Sequence, residues 1–211
     1  MKYFKIIGII LLVLIIVALG YLSYSYYQIT NQTQKDLGVR YTQEDADKAI
    51  KDKAGVQVDD LSKIYFGSNF RTEGSVKVDK TFTDAEISAI QNYANVQSGP
   101  FKHVQIHFIG GNKVEASGFV NDPRVTLPGP VYVKGDVIQT GPKSFTTNID
   151  ELKVGNYVVP RAVVNQVQSE FLNYVNSILS NIDGLNVEKV EIQDGQVRFI
   201  GNLPAKVYSA D

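Results

Sequence analysis

Residues 160–201 read PRAVVNQVQSEFLNYVNSILSNIDGLNVEKVEIQDGQVRFIG, and this stretch decides the fold. Its first half is typical of a helix, because Pro160 suits the first turn and apolar residues recur every three or four positions. Asp183-Gly184 is a stop signal, and the alternating residues around Asp194-Gly195 then predict a tight hairpin. The helix carries one apolar stripe, formed by Val164, Val167, Phe171, Val175, Ile178 and Ile182.

An earlier part of the chain repeats this order of helix and hairpin. Thr83 and Glu86 form the pattern of a capping box, which predicts a short helix over residues 84–95. The hairpin that follows, over residues 103–119, turns at Gly110-Gly111-Asn112. Two interpretations stay open: any two hairpins alternate and turn on glycine, or the helix–hairpin unit is duplicated.

Further strands are predicted at residues 130–139 and 143–153, with one or two more within 64–80. Together these elements predict an α+β fold, in which an antiparallel β-sheet built from hairpins packs on the long amphipathic helix. Thr42 opens another helix that Gly55 ends. Because its apolar face is thin, comprising Ala46, Ala49 and Ile50, we expect that helix to lie on the surface.

The N-terminal residues 6–22, IIGIILLVLIIVALGYL, are apolar and uncharged, and seventeen helical residues span roughly 25 Å. Lys2 and Lys5 precede them, which favours a cytoplasmic N-terminus. The sequence therefore predicts a cytoplasmic stub (1–5) and one transmembrane helix (6–27) in the plasma (inner) membrane, with everything after it outside. The alternative is a signal peptide cleaved near Ala18-Leu19-Gly20.

Outside the membrane we expect three parts. Residues 28–41 are polar and predict either a short stalk or linker or a continuation of the anchor helix. Residues 42–82 predict a helix-plus-strand subdomain, and residues 83–211 the main α+β domain. The formal net charge is −1, so no basic balance points to nucleic acid as a partner. The chain has no Cys, which excludes disulfides, thiolate catalysis and thiolate metal sites.

Nothing in the sequence argues for an enzyme or a cofactor. His103 and His107 are the only histidines, and on a strand they stand ~13 Å apart, too far to share a metal ion. No G-x-S-x-G nucleophile motif occurs. The expectation is therefore no catalytic residue, no metal and no cofactor, with an undetected hydrolase as the remote alternative.

The remaining candidate site is apolar. The stripe on the long helix either fills a core between helix and sheet, or lines a groove that accepts an acyl chain. In the second case the six stripe residues are the candidate ligand contacts.

Residues 83–204 resemble a known family as a whole. The resemblance rests on the T-x-x-E helix, the hairpin, paired strands ending in VGNYVVP (154–160), the long helix, and GLNVEKVEIQDGQVRFIG (184–201). This order is similar to that of small bacterial membrane-anchored envelope proteins of the YpmS and LmeA type, which look like reduced tubular lipid-binding (TULIP) proteins. The resemblance implies a long helix wrapped by a curved antiparallel sheet, with lipid held between them.

Two functional hypotheses follow. In the first, an extracytoplasmic domain anchored to the bilayer binds a lipid or a lipid-linked envelope precursor in a helix–sheet groove, without catalysis. In the second, the domain is a structural or protein-interaction module of the cell envelope, with an envelope protein as partner and no small ligand.

Overall fold

A computed structural model describes residues 16–17, 19–21, 23–30, 33–64, 70–94, 99–121, 127 and 129–209. The described residues up to Thr30 are helical. Most of the apolar run, namely residues 6–15, 18 and 22, lies outside this description. In the part that is described, no helix has both the length and the apolar character needed to cross a membrane. The transmembrane helix over residues 6–27 therefore stays a prediction.

The architecture is α+β, as predicted, with antiparallel sheets and a helix packed against them. The helices are α1 (Gln43–Asp47), which continues as a π-helix (Lys48–Lys53), α2 (Asp84–Tyr93) and α3 (Arg161–Ser180). The strands are β1 (Gln57–Val58), β2 (Phe70–Glu73), β3 (Val76–Thr83), β4 (Phe101–Gly110), β5 (Lys113–Val120), β6 (Val131–Gly141), β7 (Ser144–Val154), β8 (Tyr157–Val158), β9 (Asn186–Gln193), β10 (Gln196–Leu203) and β11 (Lys206–Ser209).

The strands form three sheets. The largest is antiparallel, in the order β4-β5-β6-β7-β8, and the two others are β3-β10-β9 and β1-β11-β2. Both predicted hairpins are present, as β4–β5 and β9–β10. The turn of the first uses Gly110, Gly111 and Asn112, all with positive φ. Strands β2 and β3, from the stretch 42–82, pair with β11 and β10 from the C-terminal hairpin region.

A compact core lies where α1 and α2 meet the two smaller sheets. Its buried residues are Ala49, Ala54, Val56, Val78 and Phe82, and half-buried apolar side chains from β3, β10 and α2 surround them. The predicted capping box opens α2, since Thr83 Oγ1 accepts from the Glu86 N–H at 3.3 Å and Glu86 Oε2 accepts from the Thr83 N–H at 2.8 Å.

The first helix lies on the surface, with Gln43, Glu44, Lys48, Lys51 and Asp52 exposed, and its thin apolar face is turned inward. Ala46 and Ala49 are almost completely buried, and the second half of this helix is π-helical rather than α-helical. Small side chains make a weak apolar stripe, but they let a helix approach its neighbours closely, and α1 packs against α2.

Candidate functional site

Helix α3 lies along the outer edge of β7 and contacts it through polar side chains. Asn176 accepts from the Phe145 N–H at 3.0 Å and donates to the Phe145 carbonyl at 2.9 Å. Gln168 accepts from the Ile149 N–H at 3.0 Å, and Arg161 donates to the Ile149 carbonyl. The spacings match, because eight helical residues rise ~12 Å and four strand residues extend ~13 Å. These side chains satisfy backbone groups that an edge strand leaves unpaired.

Because α3 faces β7 with polar side chains, the six residues of the predicted stripe are not equally buried. Val164 is buried (3% exposed), and Val175, Ile178 and Ile182 are half-buried. Val167 and Phe171 are 44% and 48% exposed, which places them on the flank of the helix that β7 does not cover. Two residues that the sequence reasoning left out, Val163 and Tyr174, are also exposed. We call the four residues Val163, Val167, Phe171 and Tyr174 the α3 flank; their spacing of four, four and three positions puts them on one side of the helix.

The five-stranded sheet has one apolar face. Across β5, β6 and β7, directly opposed residues on this face are small or aliphatic, as in the sets Ala116–Val133–Leu152 and Gly118–Val131–Val154. Gly135 and Ile149 are buried there, and the other apolar residues are only half-buried. We call this surface the apolar sheet face; it consists of Val114, Ala116, Val131, Val133, Val137, Ile149, Leu152 and Val154.

The opposite face of the same sheet is polar and is crossed by residues 34–37. Lys35 Nζ lies 2.9 Å from Glu115 Oε2 and 3.8 Å from the centre of the Tyr132 ring, and the Tyr132 hydroxyl donates to Glu115 at 2.6 Å. Gln34 donates to the Ser117 carbonyl at 3.1 Å, and the Leu37 N–H donates to Gln105 at 2.6 Å. Successive strand residues face opposite sides, so this polar strap covers the face that the apolar residues do not occupy.

The charges beneath the strap perturb one another. Burial favours a neutral Glu115 carboxyl, but hydrogen bonds from Tyr132 and Lys35 outweigh it, and the pKa of Glu115 is lowered. Burial likewise opposes the charge on Lys35, but its bonds to Tyr132 and Glu115 raise the pKa of the ammonium. Both Lys35 and Glu115 are therefore stabilised in their charged forms, and the ion pair between them holds the strap against the sheet.

On the opposite side of the sheet, the outer strand β4 is covered by α2 in the same way that α3 covers the part of β7 that β8 does not pair with. Asn92 accepts from the Val104 N–H at 2.8 Å and donates to its carbonyl at 2.7 Å, and the Ser88 hydroxyl bonds both backbone groups of Ile106 at 2.9 and 3.4 Å. Asp84 accepts from the Phe108 N–H at 2.9 Å. The contacting residues recur every four positions along α2 and every two positions along β4, and both spacings correspond to ~6 Å.

The two histidines do not meet at one site. His107 Nδ1 lies 2.6 Å from Asp84 Oδ2 at the start of α2, while the ring of His103 stands edge-on to Phe119 at 6.1 Å between centroids. Within the described residues, no three or more His, Asp or Glu side chains lie close enough together to hold a metal ion.

The N-terminal helical segment ends against one end of the sheet. The Asn156 N–H, in the β7–β8 turn, donates to the Gln28 carbonyl at 3.0 Å. A Cβ added to Gly155 would lie 2.6 Å from that oxygen, and one added to Gly129 would collide with the Ile29 carbonyl. This contact, which no local sequence signal announces, places Gln28 and Ile29 beside the turn that precedes Tyr157 and Val158.

No protein-family model, curated protein or solved structure matches this chain.

Proposed function

We propose that this chain is a single-pass membrane protein, anchored in the plasma membrane by residues 6–27, whose extracytoplasmic domain binds the acyl part of a lipid or lipid-linked envelope precursor. The acyl chain lies along the α3 flank and the apolar sheet face, and no bond is made or broken. One observation carries the proposal: helix α3 turns polar side chains toward the sheet edge and leaves an aliphatic and aromatic flank open.

The size of the flank suits an acyl chain. From Val163 to Tyr174 the helix rises ~17 Å, close to the depth of one leaflet in a hydrocarbon core of ~30 Å. Each of the four side chains, about half exposed, would gain ~1 kcal/mol on burial. The sum of ~4 kcal/mol corresponds to a Kd near 1 mM, so tight binding also needs the apolar sheet face.

The position of the flank suits a membrane source of ligand. Its first residue, Val163, follows closely after Tyr157 and Val158, which are exposed and adjoin the turn that bonds Gln28. With residues 6–27 in the bilayer, the apolar path therefore begins at the membrane side of the domain and runs away from it.

Position-specific cross-linking tests the proposal in cells. Benzoylphenylalanine replaces Phe171 in the full-length protein, and a matched variant carries it at Ser169, which lies about 160° away around the helix. After irradiation, mass spectrometry of the residue-171 peptide is expected to show an acyl-containing adduct that is absent at residue 169. The absence of lipid adducts at residue 171 would contradict the proposal.

The same experiment distinguishes lipid binding from the second candidate function, a protein-interaction module. An exposed apolar helix flank is also what a protein-interaction module presents. If residue 171 cross-links to one envelope protein and to no lipid, the domain is such a module.

Topology is tested with single-cysteine variants, because the chain has no native cysteine. Asn173→Cys is expected to react with a membrane-impermeant maleimide in intact cells, and Lys2→Cys only after permeabilisation. The reverse pattern would contradict the proposed orientation.

A further inference from the structure

One end of the five-stranded sheet differs from the other in its exposed side chains. At the end where β5 and β7 finish and β6 begins, four apolar or aromatic side chains are exposed: Phe119, Leu127, Tyr157 and Val158. We call these four residues the apolar rim. At the opposite end, the β4–β5 and β6–β7 turns consist of Gly111, Asn112, Pro142 and Lys143, and the one exposed large apolar side chain near these turns in the described residues is Ile138 of β6.

The apolar rim lies at the end to which the N-terminal segment is docked. Gln28 and Ile29 contact Asn156, Gly155 and Gly129, which belong to the connections that carry or adjoin the rim. Rim residues lie on both faces of the sheet, since Phe119 shares the polar face with Ser117, whereas Tyr157 is directly opposite Val154 of the apolar sheet face. The rim is therefore not part of the α3 flank.

We infer that the apolar rim rests in the interface of the lipid bilayer, so that the domain sits end-on on the membrane and is not raised on a stalk. The inference rests on the proposed membrane span. If that span ends at Tyr27, Gln28 is one residue beyond it, ~3.8 Å along the chain, and is already bonded to Asn156. Residues 34–37 then add no height, because they lie across the polar face of the sheet as the strap.

The chemistry of the rim fits this occupant. Aromatic and aliphatic side chains are typical of the membrane interface, where Tyr places its ring in the apolar layer and its hydroxyl in water. The described end of the N-terminal helix presents the same chemistry, with Tyr24, Tyr26 and Tyr27 exposed. Rim and helix together would form one aromatic belt at one depth.

The test uses the full-length protein in phosphatidylcholine liposomes and measures the depth of single-cysteine fluorophores. Val158→Cys and Phe119→Cys carry the label at the rim, and Thr140→Cys is the matched control at the far end of the sheet. Lipids with a nitroxide at the headgroup are expected to quench the two rim labels several-fold more strongly than the control. Equal quenching at all three positions would overturn the inference.

Two features of the test distinguish a failure of this inference from a failure of the proposed function. Phe119 lies on the face opposite the apolar sheet face, so a lipid held beside α3 cannot account for quenching there. Liposomes are also washed with alkaline carbonate: protein that washes off overturns the span and the seating together. Retained protein with unquenched rim labels overturns the seating alone.

Discussion

Asn176 makes with Phe145 the same pair of hydrogen bonds that Asn92 makes with Val104. In both pairs the asparagine amide accepts from the N–H of one strand residue and donates to its carbonyl, at 2.7–3.0 Å. Strand β4 is an outer strand of this sheet, and β7 is bordered by the short β8 only at Lys153 and Val154, so Phe145 lies at an open edge. The two helices, α3 and α2, each precede a hairpin. The side-chain amide replaces the neighbouring strand that each edge residue lacks.

Removing the amide of Asn176 should destabilise the protein. Asn176→Ala leaves two half-buried backbone groups of Phe145 without partners, which is expected to cost ~2 kcal/mol. Asn173→Ala on the exposed side of α3 makes the same chemical change and is expected to be neutral or slightly stabilising. Urea unfolding of both variants in mild detergent measures the difference, and equal midpoints would contradict the role of Asn176.

Alanine substitutions at Val164 and Phe171 should destabilise the protein in the reverse order of the sizes of these side chains. Val164→Ala removes buried carbon and is expected to cost ~2 kcal/mol. Phe171→Ala removes more carbon, yet about half of that side chain is exposed, and the expected cost is below ~1 kcal/mol. Urea unfolding compares the two variants. A larger loss at Phe171 would show that its ring belongs to a packed core.

The buried carboxylate of Glu86 should be among the most sensitive polar positions. It accepts from the Thr83 N–H and from Lys53 Nζ, the latter at 2.7 Å, and its side chain is 5% exposed. Glu86→Ala is expected to cost ~3 kcal/mol, because it removes a helix cap and leaves the Lys53 ammonium without its carboxylate. Glu44→Ala, in the exposed first turn of α1, is the control, expected within ~0.5 kcal/mol of wild type. Thermal unfolding measures the stability of both variants. Equal midpoints would contradict the stabilising role of Glu86.

Docking of the strap should weaken in acid. The pKa of Glu115 is lowered in the folded protein, so its contribution is complete above the ordinary value of 4.5 and is lost as pH falls through the lowered value. The raised pKa of Lys35 gives a contribution that is complete below 10.5 and is lost as pH rises through the raised value. Hydrogen exchange at the Leu37 amide, corrected for intrinsic rates, is expected to lose protection below pH 4.5.

Glu115→Gln supplies the control for this pH dependence. The variant keeps the shape of the side chain and the exposed Asp36–Arg40 pair but removes the titrating group under the strap. Its Leu37 protection should be lower at neutral pH and should change less in acid than that of the wild type. A variant with the same acid profile as wild type would assign the effect to another carboxylate.

The contact between the N-terminal segment and the sheet should depend on Gly155. Gly155 and Gly111 have almost the same backbone, with φ of +58° and +59°, but only Gly155 has a close neighbour, the Gln28 carbonyl. Alanine at either position is expected to cost ~1 kcal/mol of backbone strain. Only Gly155→Ala should also displace Gln28, which trypsin would report as faster cleavage after Lys35. Equal cleavage rates in the two variants would contradict the contact.

Local signals were sufficient for most elements of the fold. Pro160 and Asp183-Gly184 bound α3 to within two residues, and the Asp194-Gly195 turn fixed the register of β9 and β10. The capping box at Thr83 placed the start of α2 correctly. These signals act within a few residues, so they are visible in a single sequence.

The orientation of α3 was not visible in this way. Both interpretations of the stripe turned the apolar residues toward the sheet, whereas Gln168 and Asn176 are the residues that bond it. A strand needs such partners only if it lies at an edge, and the order of strands in the sheet is a non-local property. The same reason hides the contact of Gln28 with Asn156, which joins residues 128 positions apart in the chain.

The side chains along β4 and β7 also bear on how the protein behaves when many copies are crowded together. A bare strand edge can recruit an edge of another chain and seed aggregation. Here Val104, Ile106 and Phe108 on one side, and Phe145 and Ile149 on the other, already have both backbone groups bonded. Chains tethered side by side in one plane are therefore not expected to join through these five residues, even at high local density.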